Sequence, residues 1–113
     1  MNAELKRLHS PDIFNLESYH PEDPRKFVFL LQIMVGPEGV KGEESFDVEV
    51  CSPMWLEENV SLDSVEVGRK LINMKRYSYV TLLAAIRDFL SECSGENWSE
   101  IAQKVSRLGN WEF

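Results

Sequence analysis

"EESFDVEVCSPMWLEEN", residues 43–59, contains the change of period that decides the fold. Ser45, Asp47, Glu49 and Cys51 alternate with Phe46, Val48 and Val50, so an extended segment would carry one polar and one apolar face. The alternation stops at Ser52 and Pro53. A serine hydroxyl can accept from a free first-turn N–H, and proline suits a first turn because no donor is needed there. Met54, Trp55 and Leu56 add apolar bulk, and the spacing predicts a short helix over 53–59. A cysteine just before a helix start can be an activated nucleophile. That reading needs a base, and His9 and His20 lie in other segments with no pattern bringing them near Cys51. Small, inert, structural cysteines are far commoner, so Cys51 is read as scaffold.

Upstream, residues 26–35 are apolar on both faces, with Phe27, Phe29, Leu31, Ile33 and Val35 on one and Val28, Leu30 and Met34 on the other. This predicts a central strand at least partly covered on each side. The turn-rich 36–43, with three glycines and a proline, returns the chain antiparallel, making a hairpin at the heart of the sheet. Residues 3–9 read as a first strand with Leu5 and Leu8 facing opposite ways. Between them, 10–26 reads as a long proline-rich surface loop, ordered in part by Ile13, Phe14 and Leu16.

Downstream, 60–68 is irregular and 69–77 reads as another strand, with Leu71 and Ile72 beside a polar flank. Ser78 then caps a helix whose stripe is Leu82, Ile86, Phe89, Leu90 and Cys93, with Gly95 ending it. Asn97 and Glu100 resemble a capping box for a last helix with Trp98, Ile101, Ala102, Val105 and Leu108 inside, stopped by Gly109. Trp55 and Trp98, each in a first helical turn, are expected in the core, and the ending with Trp111 and Phe113 is expected to dock back. With 113 residues, 43% of them hydrophobic, there is material for one core. The expected fold is one α+β domain over 1–113: a mostly antiparallel sheet of about four strands, a short helix after the third, and two C-terminal helices on one face.

The formal charge is -7, and it is unevenly placed. Residues 1–50 carry ten acids against five bases, 51–68 carry Glu57, Glu58, Asp63 and Glu66 with no base, and 69–113 carry five acids against seven bases. Such a field repels phosphate backbones and steers cationic partners, so nucleic-acid binding is disfavoured; solubility alone is the plainer use of the same charge. Two cysteines without metal-type spacing suggest a reducing compartment. The opening residues lack a signal-peptide core and the longest apolar run, 27–35, is too short to span a bilayer, so a soluble cytoplasmic protein without membrane contact is expected. No helical histidine pair and no basic glycine-rich phosphate loop occurs, so no metal, cofactor or nucleotide is expected. Asp47 and Glu49 share a strand face and would suit acid–base chemistry only in a cleft that raised one pKa; a solvated sheet face is the commoner outcome.

The stretches 43–59 and "GRKLINMKRY" at 68–77, Trp98 within "ENWSEIAQKVSRLG" and the ending "GNWEF" together resemble the bacterial polymorphic-toxin immunity proteins of immunity protein family eight. The resemblance spans most of the chain, including "AELKRLHSPDI" at its front. It implies a small α+β protein that binds and neutralises a secreted toxin, such as a contact-dependent growth inhibition effector, with no catalytic residues. Many such toxins are nucleases, which must be cationic to grip phosphates. The expected partner is therefore the C-terminal domain of a cognate toxin, a basic nuclease, RNase ahead of DNase, bound one to one. Asp47, Glu49, Glu57, Glu58, Asp63 and Glu66 are the expected contact residues, with the 10–26 loop and exposed apolar residues as the alternative surface. The competing functions are an enzyme built on Cys51 or the carboxylates and a small acidic adaptor or regulatory subunit meeting a host protein without a toxin.

Overall fold

A computed structural model of the chain describes residues 1–59 and 70–112. Asp63, Glu66, the stretch expected to be irregular, 60–68, and Phe113 of the ending expected to dock back lie outside the described residues. The elements run β1 (Ala3–His9), β2 (Val28–Pro37), β3 (Glu44–Cys51), α1 (Pro53–Asn59), β4 (Leu71–Asn73), α2 (Tyr79–Ser91), α3 (Trp98–Val105) and β5 (Asn110–Glu112). The fold is α+β, with five strands in one mixed sheet: β1, β2, β3 and β4 lie in that order and β5 joins β3.

The β2–β3 hairpin is the sheet's centre. Its register pairs Phe29 with Val50, Leu31 with Val48 and Ile33 with Phe46, so each apolar row faces the same side. That side is completed by Leu82, Ile86 and Leu90 of α2 and Ile101, Ala102 and Val105 of α3, which belong to one continuous buried cluster with it. The alternation in β3 and the three- and four-residue spacing in the helices thus meet in one core, which is where the stability of short amphipathic elements comes from.

Leu5 and Leu8 depart from the expected opposition, because both pack against this core. Leu5 pairs with Val35 while Arg7 pairs with Met34, leaving Lys6 as an extra residue in β1. A bulge of one residue reverses the alternation beyond it, and so turns two leucines three apart onto the same face. Lys6 is put to use there: its Nζ bonds Glu4 at 3.2 Å and the Val40 carbonyl at 2.7 Å. Glu4 in turn accepts from the Gly39 N–H at 2.9 Å, and that bond together with Lys6 holds its carboxyl below the usual range. The β2–β3 loop is thereby tied down onto β1.

The strand expected over 69–77 is only three residues long, and it runs parallel to β3. The reason is that β3 has one edge left and two claimants. β4 takes Glu49, Val50 and Cys51, while β5 takes Ser45, Phe46 and Asp47. The docked ending expected from Trp111 is thus a strand. Trp111 lies opposite Phe46, its ring stacked at 6.1 Å between centroids, and Trp98 meets the same phenyl ring edge-on at 6.4 Å. Glu44 accepts from both indole N–H groups, that of Trp98 at 3.1 Å and that of Trp111.

Local signals at the helix starts behave as their chemistry requires. The buried Ser52 Oγ accepts from the Trp55 N–H at 3.3 Å and also from the Phe27 N–H at 3.1 Å, joining the α1 cap to the start of β2. Ser78 caps α2 through Thr81 and Asn97 caps α3 through Glu100. The capping box is shifted by one residue, since Glu100 reaches the Glu96 N–H at 2.9 Å. Trp55 corrects an expectation: it is half-buried, and α1 buries none of its residues. The two glycines read as helix stops have another role. α2 ends at Ser91 and α3 at Val105, whereas a Cβ on Gly109 would stand 3.1 Å from the Asp47 carbonyl oxygen and one on Gly95 would stand 2.8 Å from the Glu100 Cβ. Both are close-approach positions, and the one at 109 lets the chain lie down along β3.

The 10–26 loop is held by an aromatic cluster at one end of the core. Tyr19 and Tyr77 meet at 5.0 Å, and each lies 5.6 Å from Phe29. The Tyr77 hydroxyl donates to the Leu16 carbonyl at 2.5 Å, and burial first, then Tyr79 and Tyr19, push its pKa up to about 12. A tyrosine in an unfolded chain ionises near pH 10. Tyr77 therefore contributes its full stability below about pH 10, and the contribution is lost as pH rises towards 12. Tyr77→Phe is expected to cost about 1 kcal/mol at pH 7 through the lost hydrogen bond. It should also flatten the fall in denaturant stability above about pH 10. Tyr19, raised by burial as well, leaves a residual slope. An equally steep alkaline fall in the variant would contradict this assignment.

Candidate partner-binding face

The face of the sheet turned away from α2 and α3 carries the strand carboxylates Asp47 and Glu49. Because paired residues share a face, the register orders its columns directly. β1 contributes Arg7 and His9, β2 contributes Met34, Gln32, Leu30 and Val28, and β3 contributes Ser45, Asp47 and Glu49. Asn110 and Glu112 of β5 and Leu71 of β4 lie beyond. The β2 and β3 residues in these columns are half-buried rather than buried, so the expectation that β2 is partly covered on its second side holds only to that degree.

The basic edge is satisfied within the chain, with Arg7 bonded to Glu43 at 2.9 Å and His9 to Gln32 at 2.8 Å. The acidic column meets an apolar one. Asp47 accepts from the Ser45 hydroxyl at 2.6 Å and lies opposite Gln32, while Glu49 lies opposite Leu30. Asp47, Glu49, Asp12, Leu30, Val28 and Lys70 border a shallow depression of about 440 Å³. A groove of about 520 Å³ between β1 and α2 is larger, but it sets Arg87 among Glu4 and Glu38 and holds none of the expected contact residues.

The structure brings Asp47 and Glu49 together as the alternation required. Glu57 and Glu58 lie exposed on α1, where Glu58 pairs with Lys26 at 3.0 Å, and Asp63 and Glu66 lie outside the described residues. Asp12 was missed by sequence reasoning. Its carboxylate accepts from the Leu30 N–H at 2.8 Å, standing in for the strand that β1 ceases to supply after His9. Nothing in "SPD" announces a bond across 18 residues, although a serine and an aspartate around a proline do signal a fixed turn.

Neither cysteine is arranged for reaction. Cys51 is fully buried, and His9 and His20 are exposed. Burial raises the Cys93 thiol, against the opposing pull of Arg107 and Lys104. Among the described residues no group of three His, Cys, Asp or Glu side chains could hold a metal ion, and no helix is long and apolar enough to cross a membrane. The family model described as Immunity protein 8 matches residues 3–113, essentially the whole chain.

The chain belongs to the Immunity protein 8 family.

Neither a curated protein nor a solved structure matches it. Members of this family are immunity proteins, which neutralise a cognate toxin and are inhibitors rather than enzymes. The second face of the sheet is a two-stranded platform backed by the core, with Asp47 and Glu49 in a column on β3.

Proposed function

We propose that this chain neutralises a basic nuclease toxin by laying the second face of its sheet, acidic column foremost, over the surface with which that toxin grips its nucleic acid. The observation that carries the reading is the adjacency of three carboxylates, Asp47, Glu49 and Asp12, against one cation, Lys70, around a depression beside the apolar Val28 and Leu30. Carboxylates there can meet the Lys and Arg side chains a nuclease aims at phosphates, and the apolar column supplies area that charge alone does not. The net charge of -7 adds long-range steering towards a cationic domain. Glu57 and Glu58 on α1 extend the negative field, Asp63 and Glu66 add to the net charge, and binding is one to one in the cytoplasm of the producing or neighbouring cell.

The test is co-expression with the C-terminal toxin domain encoded immediately upstream. The expected result is restored growth together with suppressed cleavage of RNA, or failing that of DNA, by the purified toxin. A toxin domain that degrades no nucleic acid, or an inhibitor whose tightest ligand is itself a polyanion, would overturn the reading.

A further inference from the structure

We infer that Phe14 is an aromatic anchor of the toxin-binding surface, fitting an apolar, ring-sized pocket on the cognate toxin that is rimmed by basic side chains. The inference rests on the reading of the sheet face given above and adds to it the feature that holds the partner once charge has brought it in.

Phe14 is fully exposed, at 107% of its reference area, although the loop it belongs to is firmly held on both sides. On one side, the Ser10 hydroxyl accepts from the Asp12 N–H at 3.1 Å and Asp12 accepts from the Leu30 N–H at 2.8 Å. On the other, Leu16 is buried and its carbonyl takes the Tyr77 hydroxyl at 2.5 Å, while the Asn15 side chain accepts from the Glu17 and Ser18 N–H groups at 2.9 and 3.3 Å. A large ring displayed on a fixed loop loses little conformational freedom on binding, and that is the property of an interface anchor. A shallow recess of about 210 Å³, bordered by Ile13, Leu16 and Tyr79 and also by His9, Asn15 and Glu17, lies beside it.

Two observations point to the partner. Asp12, which lines the depression together with Asp47, Glu49 and Lys70, lies two residues before Phe14 in the chain. The 10–26 loop carries Asp12, Glu17, Glu22 and Asp23 against Arg25 and Lys26, with Lys26 already paired to Glu58, and Glu17 borders the recess beside Phe14, so a partner closing over the ring meets net negative charge. An apolar pocket with a cationic rim is the complement, and the toxin proposed above to be cationic supplies that rim. Phe14 had been expected to help order the loop; Ile13 and Leu16 do so instead, which leaves the ring for a partner.

The experiment is calorimetric titration of purified toxin domain with Phe14→Ala at low and high salt. Val40→Ala, at an exposed apolar position on the β2–β3 loop, serves as control. The expected result is an affinity about 30-fold weaker or worse for Phe14→Ala, by a similar factor at both salt concentrations, with Tm unchanged and with the control indistinguishable from wild type. Unchanged affinity for Phe14→Ala would overturn the anchor while leaving the acidic-face reading in place. Failure of the wild-type protein to bind the toxin would overturn both.

Discussion

Trp111→Ala is expected to lower stability by about 3 kcal/mol, the low end of the range for losing a tryptophan because the ring is half-buried. The ring does three things at once. It stacks on Phe46, which is fully buried; it donates to Glu44; and it sits in the middle of β5, whose pairing covers Ser45, Phe46 and Asp47. Without it β5 has little to hold it, and the upper half of β3 becomes a free edge, which is a template for pairing with another chain. The variant should therefore show both a reduced denaturation midpoint and concentration-dependent self-association by light scattering. Both indole N–H groups go to the same Glu44 oxygen, Oε2, so Glu44→Gln can keep both bonds and gives up only the carboxylate's charge, and it should cost less, about 1 kcal/mol. A Trp111→Ala protein that is monomeric and as stable as wild type would show that β5 is not what closes the sheet.

The second large effect belongs to the binding face. Asp47→Lys with Glu49→Lys is expected to weaken toxin binding about 100-fold or more at low salt, mostly through slower association, and to remove much of the salt dependence. Each side chain is half-buried on the second face, Asp47 gives up its bond from Ser45 at about 1 kcal/mol, and Tm measured alongside separates lost binding from lost fold. Glu57→Lys with Glu58→Lys should do less, because these residues are exposed on α1 and Glu58 already has Lys26. Surface plasmon resonance at two ionic strengths separates the outcomes. Equal loss from the two pairs would move the contact towards α1, and no loss from either would clear the acidic column altogether.

Much of this was legible in the sequence because the informative residues obey local rules. The β2–β3 hairpin follows from two alternating runs around a glycine-rich turn, and the caps at Ser52, Ser78 and Asn97 are set by side chains reaching their own next turn. Asp47 and Glu49 were placed on one face by the period of a strand alone. The features missed are long-range. The bulge at Lys6, which brings Leu5 and Leu8 to one side, depends on what β2 offers across the ladder. The length and parallel sense of β4 depend on β5 occupying the rest of the same edge. Asp12 serves the sheet only because β1 stops short of Leu30. Phe14 was misjudged for a related reason: composition marks a phenylalanine as a packing residue, and only the positions of Ile13 and Leu16 show that the inward places were already filled.

The most direct measurement of the central claim is methyl NMR of the labelled inhibitor during titration with the cognate toxin domain. The two faces of β2 report separately, since Val28, Leu30 and Met34 lie on the second face and Leu31, Ile33 and Val35 lie in the core. The account predicts shifts concentrated in Val28, Leu30 and Met34, spreading to the ring of Phe14. Perturbation confined to the outer surfaces of α2 and α3, with those three methyl groups unmoved, would contradict it.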